Sequence, residues 1–234
     1  IEDIMLRTTS PETYDKWVAH DIPWTDDRIK NAFEIFGKYA KNPDMAFGGP
    51  TAVLSTNFGD APNPLFSDPP RAGLHRQASF ITSFIQENNP ELEAGQDFNF
   101  FPLPSIEEEY GTPALGAADM LAMINDNQDA RQFMKYMITP GAQSIWLSEL
   151  GKLGTHNRIN PSVYPNDITR QMAAFLNDAE TFRFDASDSM PASIGSGAFW
   201  QAILNYVSGD NLDNILEDLE NKADEAYSTG EATN

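Results

Sequence analysis

Asp185 and Asp188, in the run Asp185-Ala186-Ser187-Asp188, are the carboxylates of this sequence best spaced for acid–base work. Placed on either side of a glycosidic bond, one protonated acid and one carboxylate can hydrolyse it. Asp and Ser in such a run also bond to their own backbone and make local turns, so the same residues fit a structural role. A third acid, Asp119, interrupts the apolar run Leu115 to Ile124. A carboxylate in an apolar strand costs free energy unless it is hydrogen-bonded. Asp119 is therefore either a ligand-binding acid or the cap of a neighbouring helix. The histidines His20, His75 and His156 lie far apart with no metal-ligand spacing, which suits surface or capping roles. Asp210 to Asp218 is acid-rich but lacks the glycine and terminal Glu of a calcium loop, and reads as a solvated helix start. There is no cysteine, which excludes disulfides, thiolate metal sites and Cys nucleophiles. No phosphate loop, G-x-S-x-G elbow or H-E-x-x-H motif is present. These residues predict neither a metal nor a cofactor.

The elements that must position these groups are mostly helices. Ser10-Pro11 opens a helix with Tyr14, Trp17 and Val18 on one face. After Thr25 a second helix carries Asp26 and Asp27 in its first turn, the stripe Ile29, Phe33, Phe36 and Ala40, and Lys38 and Lys41 at its far end. Gly48 to Pro70 reads as an irregular but ordered loop with a strand-like piece at Ala52-Val53-Leu54. A helix is predicted from about Leu74 to Gln86. Phe98 to Pro104 and Leu115 to Ile124 read as strands, the second one buried. Asp126 is predicted to cap a helix whose core face is Ala130, Phe133, Met134 and Met137. Thr139-Pro140 opens another with Ile145, Trp146 and Leu150, ended by Gly151 and Gly154. Three stripes follow: Ile168 to Leu176, Ala198 to Val207 ended by Gly209, and Leu212 to Tyr227. Ser228 to Asn234 reads as a frayed tail. Helices separating few strands predict an α/β architecture with open sheets.

The 234 residues suit one large domain or two small ones. At 41% hydrophobic with 15 further glycines, the chain is able to pack a core. The net charge of −20 argues against charge-driven binding of nucleic acid or anionic lipid. No apolar run is long enough to span a bilayer. The opening Ile1-Glu2-Asp3-Ile4 has no initiator Met and no basic-then-apolar leader, and reads as an internal point of a longer chain.

Several stretches, taken in order, carry a resemblance. They are Tyr14 to Val18 with Ile22-Pro23-Trp24, Leu115 to Asp119, Met137 to Trp146, Phe182 to Ala192, Ile194 to Trp200, Tyr206 to Gly209 and Ile215 to Glu220. Together they resemble the C-terminal portion of family 1 extracellular solute-binding proteins, and within them the α-glucoside-binding receptors of bacterial ABC importers. The resemblance implies a helix-rich, periplasmic-binding-protein-like (type II) two-lobe α/β fold, here incomplete. It assigns residues 1–97 to part of lobe two. Residues 98–155 become a hinge crossing and lobe-one segment, a sheet with exposed edges unless the rest is supplied. Residues 156–234 return to lobe two and the hinge.

The implied function is to bind an α-glucoside or oligosaccharide between closing lobes and deliver it to a membrane permease, without catalysis and without a cofactor. The implied setting is extracytoplasmic, as a periplasmic protein or a cell-surface lipoprotein, monomeric at full length. A glycoside hydrolase using Asp185 and Asp188 is the alternative. Sugar rings offer apolar faces to aromatic side chains and hydroxyls to Asp, Arg and Asn, and this chain holds 4 Trp, 7 Tyr and 15 Phe. By the resemblance, Trp200 stacks on sugar at a helix start opened by the small residues Gly195 to Ala198; the alternative is a core tryptophan. Asp119, next to the Gly-rich turn at Gly116, is the ligand acid. Arg76, Ser79 and Phe80 occupy the place of a second stacking aromatic, or simply pack in a helix. Trp24 and Trp146 read as core.

Overall fold

A computed structural model describes residues 1–230; the last four residues of the expected tail lie outside the described residues. In chain order the helices are α1 (Glu2–Thr8), α2 (Pro11–Val18), α3 (Asp27–Ala40), α4 (Gly49–Ser55), α5 (Ile81–Asn88), α6 (Gln128–Met137), α7 (Pro140–Leu150), α8 (Asp167–Asp178), α9 (Ala186–Ser189), α10 (Trp200–Ser208) and α11 (Leu212–Ser228). Strand β1 (Ala114–Gly116) precedes α6, and β2 (Phe182–Phe184) follows α8. The chain forms two compact units. The first contains residues 1–73, 103–117 and, among the described residues, 180–230, and the second residues 74–102 and 118–179.

The first unit has the larger core. Ser10 caps α2 by accepting from Thr13 N, and Asp26 caps α3 by accepting from Arg28 N. The apolar stripes of these helices meet those of α10 and α11 around Trp17, Trp24, Phe33, Phe199, Leu216 and Leu219. Trp17 makes edge-on contacts with Tyr14, Trp24 and Phe199, with ring centroids 5.3–5.7 Å apart. Such pairs add attraction beyond the area they bury. Helix α1 was not anticipated, because Ile4, Met5 and Leu6 are consecutive and show no one-sided period. All three are buried.

Arg7 is buried as well. Its guanidinium donates to the carbonyls of Leu103 (3.0 Å), Pro104 (3.2 Å) and Pro113 (3.1 Å) and pairs with Asp3. It thereby fastens the segment leading into β1 onto α1. β1 and β2 pair in parallel, Ala114 opposite Phe182 and Gly116 opposite Phe184. These two are the only strands among the described residues, fewer than the sheets expected.

Several expected elements are overturned. Ala52-Val53-Leu54 is helical, within α4, because Gly48 turns the chain with φ 72° and Pro50 sits in the first turn. The helix expected from Leu74 starts only at Ile81, where Ile81 and Ile85 give it a buried face. Phe98 to Pro104 is irregular, with a single isolated bridge between Ala94 and Phe98. The buried strand expected over Leu115–Ile124 ends at Gly116. Met120 to Ile124 is exposed and irregular, with Ile124 95% exposed. A strand needs neighbours to satisfy its backbone, and no described segment pairs with this one.

The second unit's core is small: Leu147, Tyr164 and Ala173, with Leu153, Ile159 and Val163 packed against them. Helix α6 is capped by Asn127 rather than Asp126, which pairs with Arg131 instead. It has no buried residue, so the core face predicted on Ala130, Phe133, Met134 and Met137 is not formed. α7 is opened by Thr139, which accepts from Ala142 N, and closed by left-handed Gly151, as expected. Its buried residues are Ala142 and Leu147, while Ile145, Trp146 and Leu150 are exposed, so Trp146 is not core.

Candidate functional site

The predicted binding residues divide between the units: Trp200 and Gly116 in the first, Asp119, Arg76, Ser79 and Phe80 in the second.

In the first unit, residues 182–200 run through β2, α9 and a helical turn into α10. Tyr14 donates from its hydroxyl to the carbonyl of Phe184 (2.8 Å), and Arg183 grips Asp15 through two bonds of 2.6 and 2.9 Å. That bond raises the Arg183 pKa further above its ordinary value, and burial raises that of Tyr14, so both keep their protons as clamps. Side chains alternate along a strand. With Arg183 committed to Asp15, Phe182 and Phe184 share the other face, edge to face at 5.2 Å and both exposed. Gly116 lies beneath Phe182. A Cβ there would come within 2.8 Å of the Phe182 ring, so glycine seats this ring on the strand pair.

The chain then enters α9, whose Ser187 N donates to Glu2 Oε1 at 2.7 Å. A π-helical turn, Ser193–Phe199, runs directly into α10. Wide turns of this kind recur at functional sites. The helical backbone is continuous through Trp200, so Trp200 does not stand at an open helix start as expected. The reason for the small-residue run is also partly different. A Cβ on Gly195 would lie 1.9 Å from the carbonyl oxygen of Ser187, so this glycine permits contact with α9. On the outer side, Ser193, Ser196, Gly197 and Trp200 are exposed at helical spacing. Phe199 is buried against Trp17, Trp24 and Phe33, and this anchor turns the next residue outward. Trp200 is 59% exposed, which overturns the core alternative. The result is an exposed indole beside a shelf of small residues, a shape that accepts the apolar face of a ring.

In the second unit, Asp119 is exposed and forms an ion pair with Lys152, itself half exposed. Neither the buried strand acid nor the helix cap describes it. Arg76, Ser79 and Phe80 lie in the exposed irregular segment before α5, not inside a helix. The Phe80 ring contacts Phe84 edge-on at 6.3 Å. Shallow surface depressions of about 460 Å³ at Asp126 to Lys135 and about 310 Å³ at Asn205 to Asp218 are lined by none of the predicted residues. Phe182 and Phe184 were not foreseen as surface aromatics. The alternation Phe-Arg-Phe was the available signal, and it gains meaning only once Arg183 is seen to bond Asp15.

No family model matches the chain. It is 45% identical over 220 residues to the osmoprotective compounds-binding protein GgtB of Synechocystis sp., covering 94% of this chain and 51% of the relative. It is 43% identical over 211 residues to the alpha-glucosides-binding periplasmic protein AglE of Rhizobium meliloti, covering 89% and 45%. The chain thus spans about half the length of the curated relatives it matches. Its fold is similar to that of the bacterial solute receptor AcbH, whose crystal structures are described with an exclusive preference for β-D-galactopyranose. The TM-score is 0.73 at 20% identity, over 97% of this chain and 57% of the other. Over nearly all of its own residues and about half of theirs, the chain is thus similar in sequence to two binding proteins and in fold to a bacterial solute receptor.

Proposed function

We propose that this protein is, or forms part of, a carbohydrate receptor of the α-glucoside or oligosaccharide class. It presents its ligand to the permease of an ABC importer, outside the cytoplasm, as a monomer, and does no chemistry on the sugar. No described helix is long and apolar enough to cross a membrane. The single observation carrying the binding role is Trp200, exposed beside Ser193, Ser196 and Gly197 on a rigidly anchored turn, in a chain whose relatives are named for binding α-glucosides and osmoprotective compounds. Phe182 and Phe184 extend the aromatic surface. In the second unit, taken by itself, the resemblance assigns ligand contacts to Asp119, Arg76, Ser79 and Phe80, with Asp119 exchanging its Lys152 partner for hydroxyl groups. Gly116 acts indirectly, by seating Phe182.

We further assign residues 118–179 to the lobe-one segment, because the chain leaves the first unit just after β1 and re-enters it just before β2. The exposed apolar side chains of this stretch, among them Met120, Ile124, Phe133 and Ile145, fit a surface completed by polypeptide beyond residues 1–230.

The test is calorimetric titration with maltose, trehalose, sucrose and galactose, using this chain and any longer protein that contains it. Trp200→Ala is expected to weaken the sugar bound by roughly two- to tenfold, from the ~0.5–1.5 kcal/mol of a lost aromatic stack. Because Trp200 is mostly exposed, its removal costs less stability than the ~3–5 kcal/mol of a buried aromatic deletion. Unchanged affinity in Trp200→Ala would remove the stacking role. Turnover of a chromogenic α-glucoside, lost in Asp185→Asn and Asp188→Asn, would replace the receptor reading with a hydrolase.

A further inference from the structure

We infer that the first unit carries a binding site for one divalent transition-metal ion of the zinc class, formed by His20, Glu220 and Asp224. The imidazole Nε2 of His20 lies 3.3 Å from Glu220 Oε2 and 4.0 Å from Asp224 Oδ1, and one ligand atom from each residue lies within 4.8 Å of the others. Metal–ligand bonds of about 2.0–2.2 Å at tetrahedral angles place neighbouring ligand atoms roughly 3.3–3.6 Å apart. The His20–Glu220 spacing already matches. Asp224 is 70% exposed and free to turn inward by the remaining distance.

The surroundings hold the two inner groups in place. Glu220 Oε2 accepts from the backbone N–H of Trp24 at 2.6 Å, which turns its carboxylate toward the imidazole. The His20 ring lies tilted against Tyr227, with centroids 4.9 Å apart, and Tyr227 is tied by its hydroxyl to the carbonyl of Val18 at 2.6 Å. Among the described residues, His20 is the only non-glycine in the left-handed region, with φ 58°. That conformation brings the imidazole onto α11 at a cost in backbone energy. Second-sphere bonds and a fixed ring are what orient ligands before a metal arrives.

Charge points the same way. Glu220 and Asp224 are one helical turn apart, a like-charge spacing that destabilises a helix. Among the described residues neither is paired with a Lys or Arg; the neighbouring Lys222 pairs with Asp218. A divalent cation would neutralise both carboxylates at once. Imidazole with two carboxylates suits zinc and its neighbours better than calcium or magnesium, which prefer oxygen alone. The open fourth position would be filled by water.

The test is titration of chelator-treated protein with Zn²⁺ by calorimetry, with Co²⁺ absorption as a second readout of coordination. We expect one saturable Zn²⁺ per chain. Asp224→Asn and His20→Asn, the latter keeping a residue that tolerates positive φ, should each weaken binding about tenfold or more. Asp218→Asn removes the same charge from the same helix outside the cluster and should leave affinity unchanged. Metal-free Asp224→Asn should melt at or slightly above the metal-free parent, its like-charge repulsion with Glu220 being relieved, which separates a lost ligand from a lost fold. Absence of saturable uptake, equal weakening by Asp218→Asn, or equally tight Ca²⁺ binding would each overturn the site.

Discussion

Gly195 and Gly197 lie two residues apart in one turn, yet alanine should act on them in opposite directions. A Cβ on Gly195 meets only backbone: Ser187 O at 1.9 Å, Ser187 C at 2.8 Å and Ser187 Cα at 3.0 Å. Carbon–oxygen contacts normally sit near ~3.3 Å or beyond, so more than 1 Å must come from moving α9 or the π-helical turn. Both are locked, because Ala186, Met190, Ile194 and Phe199 are all buried in the same core. Overpacking of this kind costs ~1–3 kcal/mol, and a rigid backbone contact places Gly195→Ala at the upper end. At ~2–4 °C per kcal/mol for a chain of this size, the midpoint should fall by roughly 6–12 °C. A Cβ on Gly197 would instead lie 3.5 Å from Ala192 O, an ordinary contact. There alanine gains ~0.5–1 kcal/mol over glycine in a helix, and the midpoint should rise by a few degrees, about 1–4 °C. Differential scanning calorimetry is the assay, since two compact units can melt as separate transitions. A Gly195→Ala midpoint at or above the parent, or an equal fall in Gly197→Ala, would refute the reading of Gly195 as a packing glycine and return it to ligand access.

Arg7→Met should destabilise by ~3–5 kcal/mol in chemical denaturation, because it strands three carbonyls and Asp3 around a buried cavity; Arg7→Lys should recover only part, having no planar fork to reach all of them. Asp119→Asn should change stability by less than ~1 kcal/mol, since its bond to Lys152 is a surface ion pair, so any loss of sugar affinity in this variant reports on binding alone. Burial raises the pKa of Tyr227 to about 12, so the unfolded chain loses this proton first as pH rises. The stabilisation is full below about pH 10, the ordinary tyrosine value, and is lost as pH climbs toward 12. Thermal melts across that range should fall more steeply for the parent than for Tyr227→Phe.

Several helix ends and stripes were legible in the residues where the signal is local, although α6 is capped by Asn127 rather than Asp126 and α5 starts at Ile81 rather than near Leu74. Ser10 and Thr139 cap as their types require, Asp26 caps α3 rather than lying in its first turn, and most of the stripes of α3 and α11 is buried as their spacing demands. The resemblance carried by short stretches such as Phe182 to Ala192 led to the solute-binding homology for a related reason: these stretches keep their order along the chain. Strands were the weakest part, because a strand exists only when another segment pairs with it. Leu115 to Ile124 has an apolar composition fit for burial, but only Ala114–Gly116 finds a partner, in Phe182–Phe184. The same limit explains α6, whose periodic apolar face was readable while the absence of anything described to cover it was not; the apolar residues of α7 are spread around the helix, and its composition did not show that Ala142 and Leu147 would be the buried ones.

Tertiary structure alone decided which way single side chains face. Phe199 and Trp200 are adjacent large aromatics, and either could have been the buried one. Only the packing of Phe199 against Trp17 and Trp24 turns the neighbouring indole outward. Gly195 and Gly197 look alike in the sequence, and the approach of Ser187 separates them. His20 and Glu220 are 200 residues apart, beyond any spacing rule, and become neighbours because the end of α2 packs on α11. Local propensity and periodicity are written in neighbouring residues, whereas contacts between distant segments depend on the packing of whole elements.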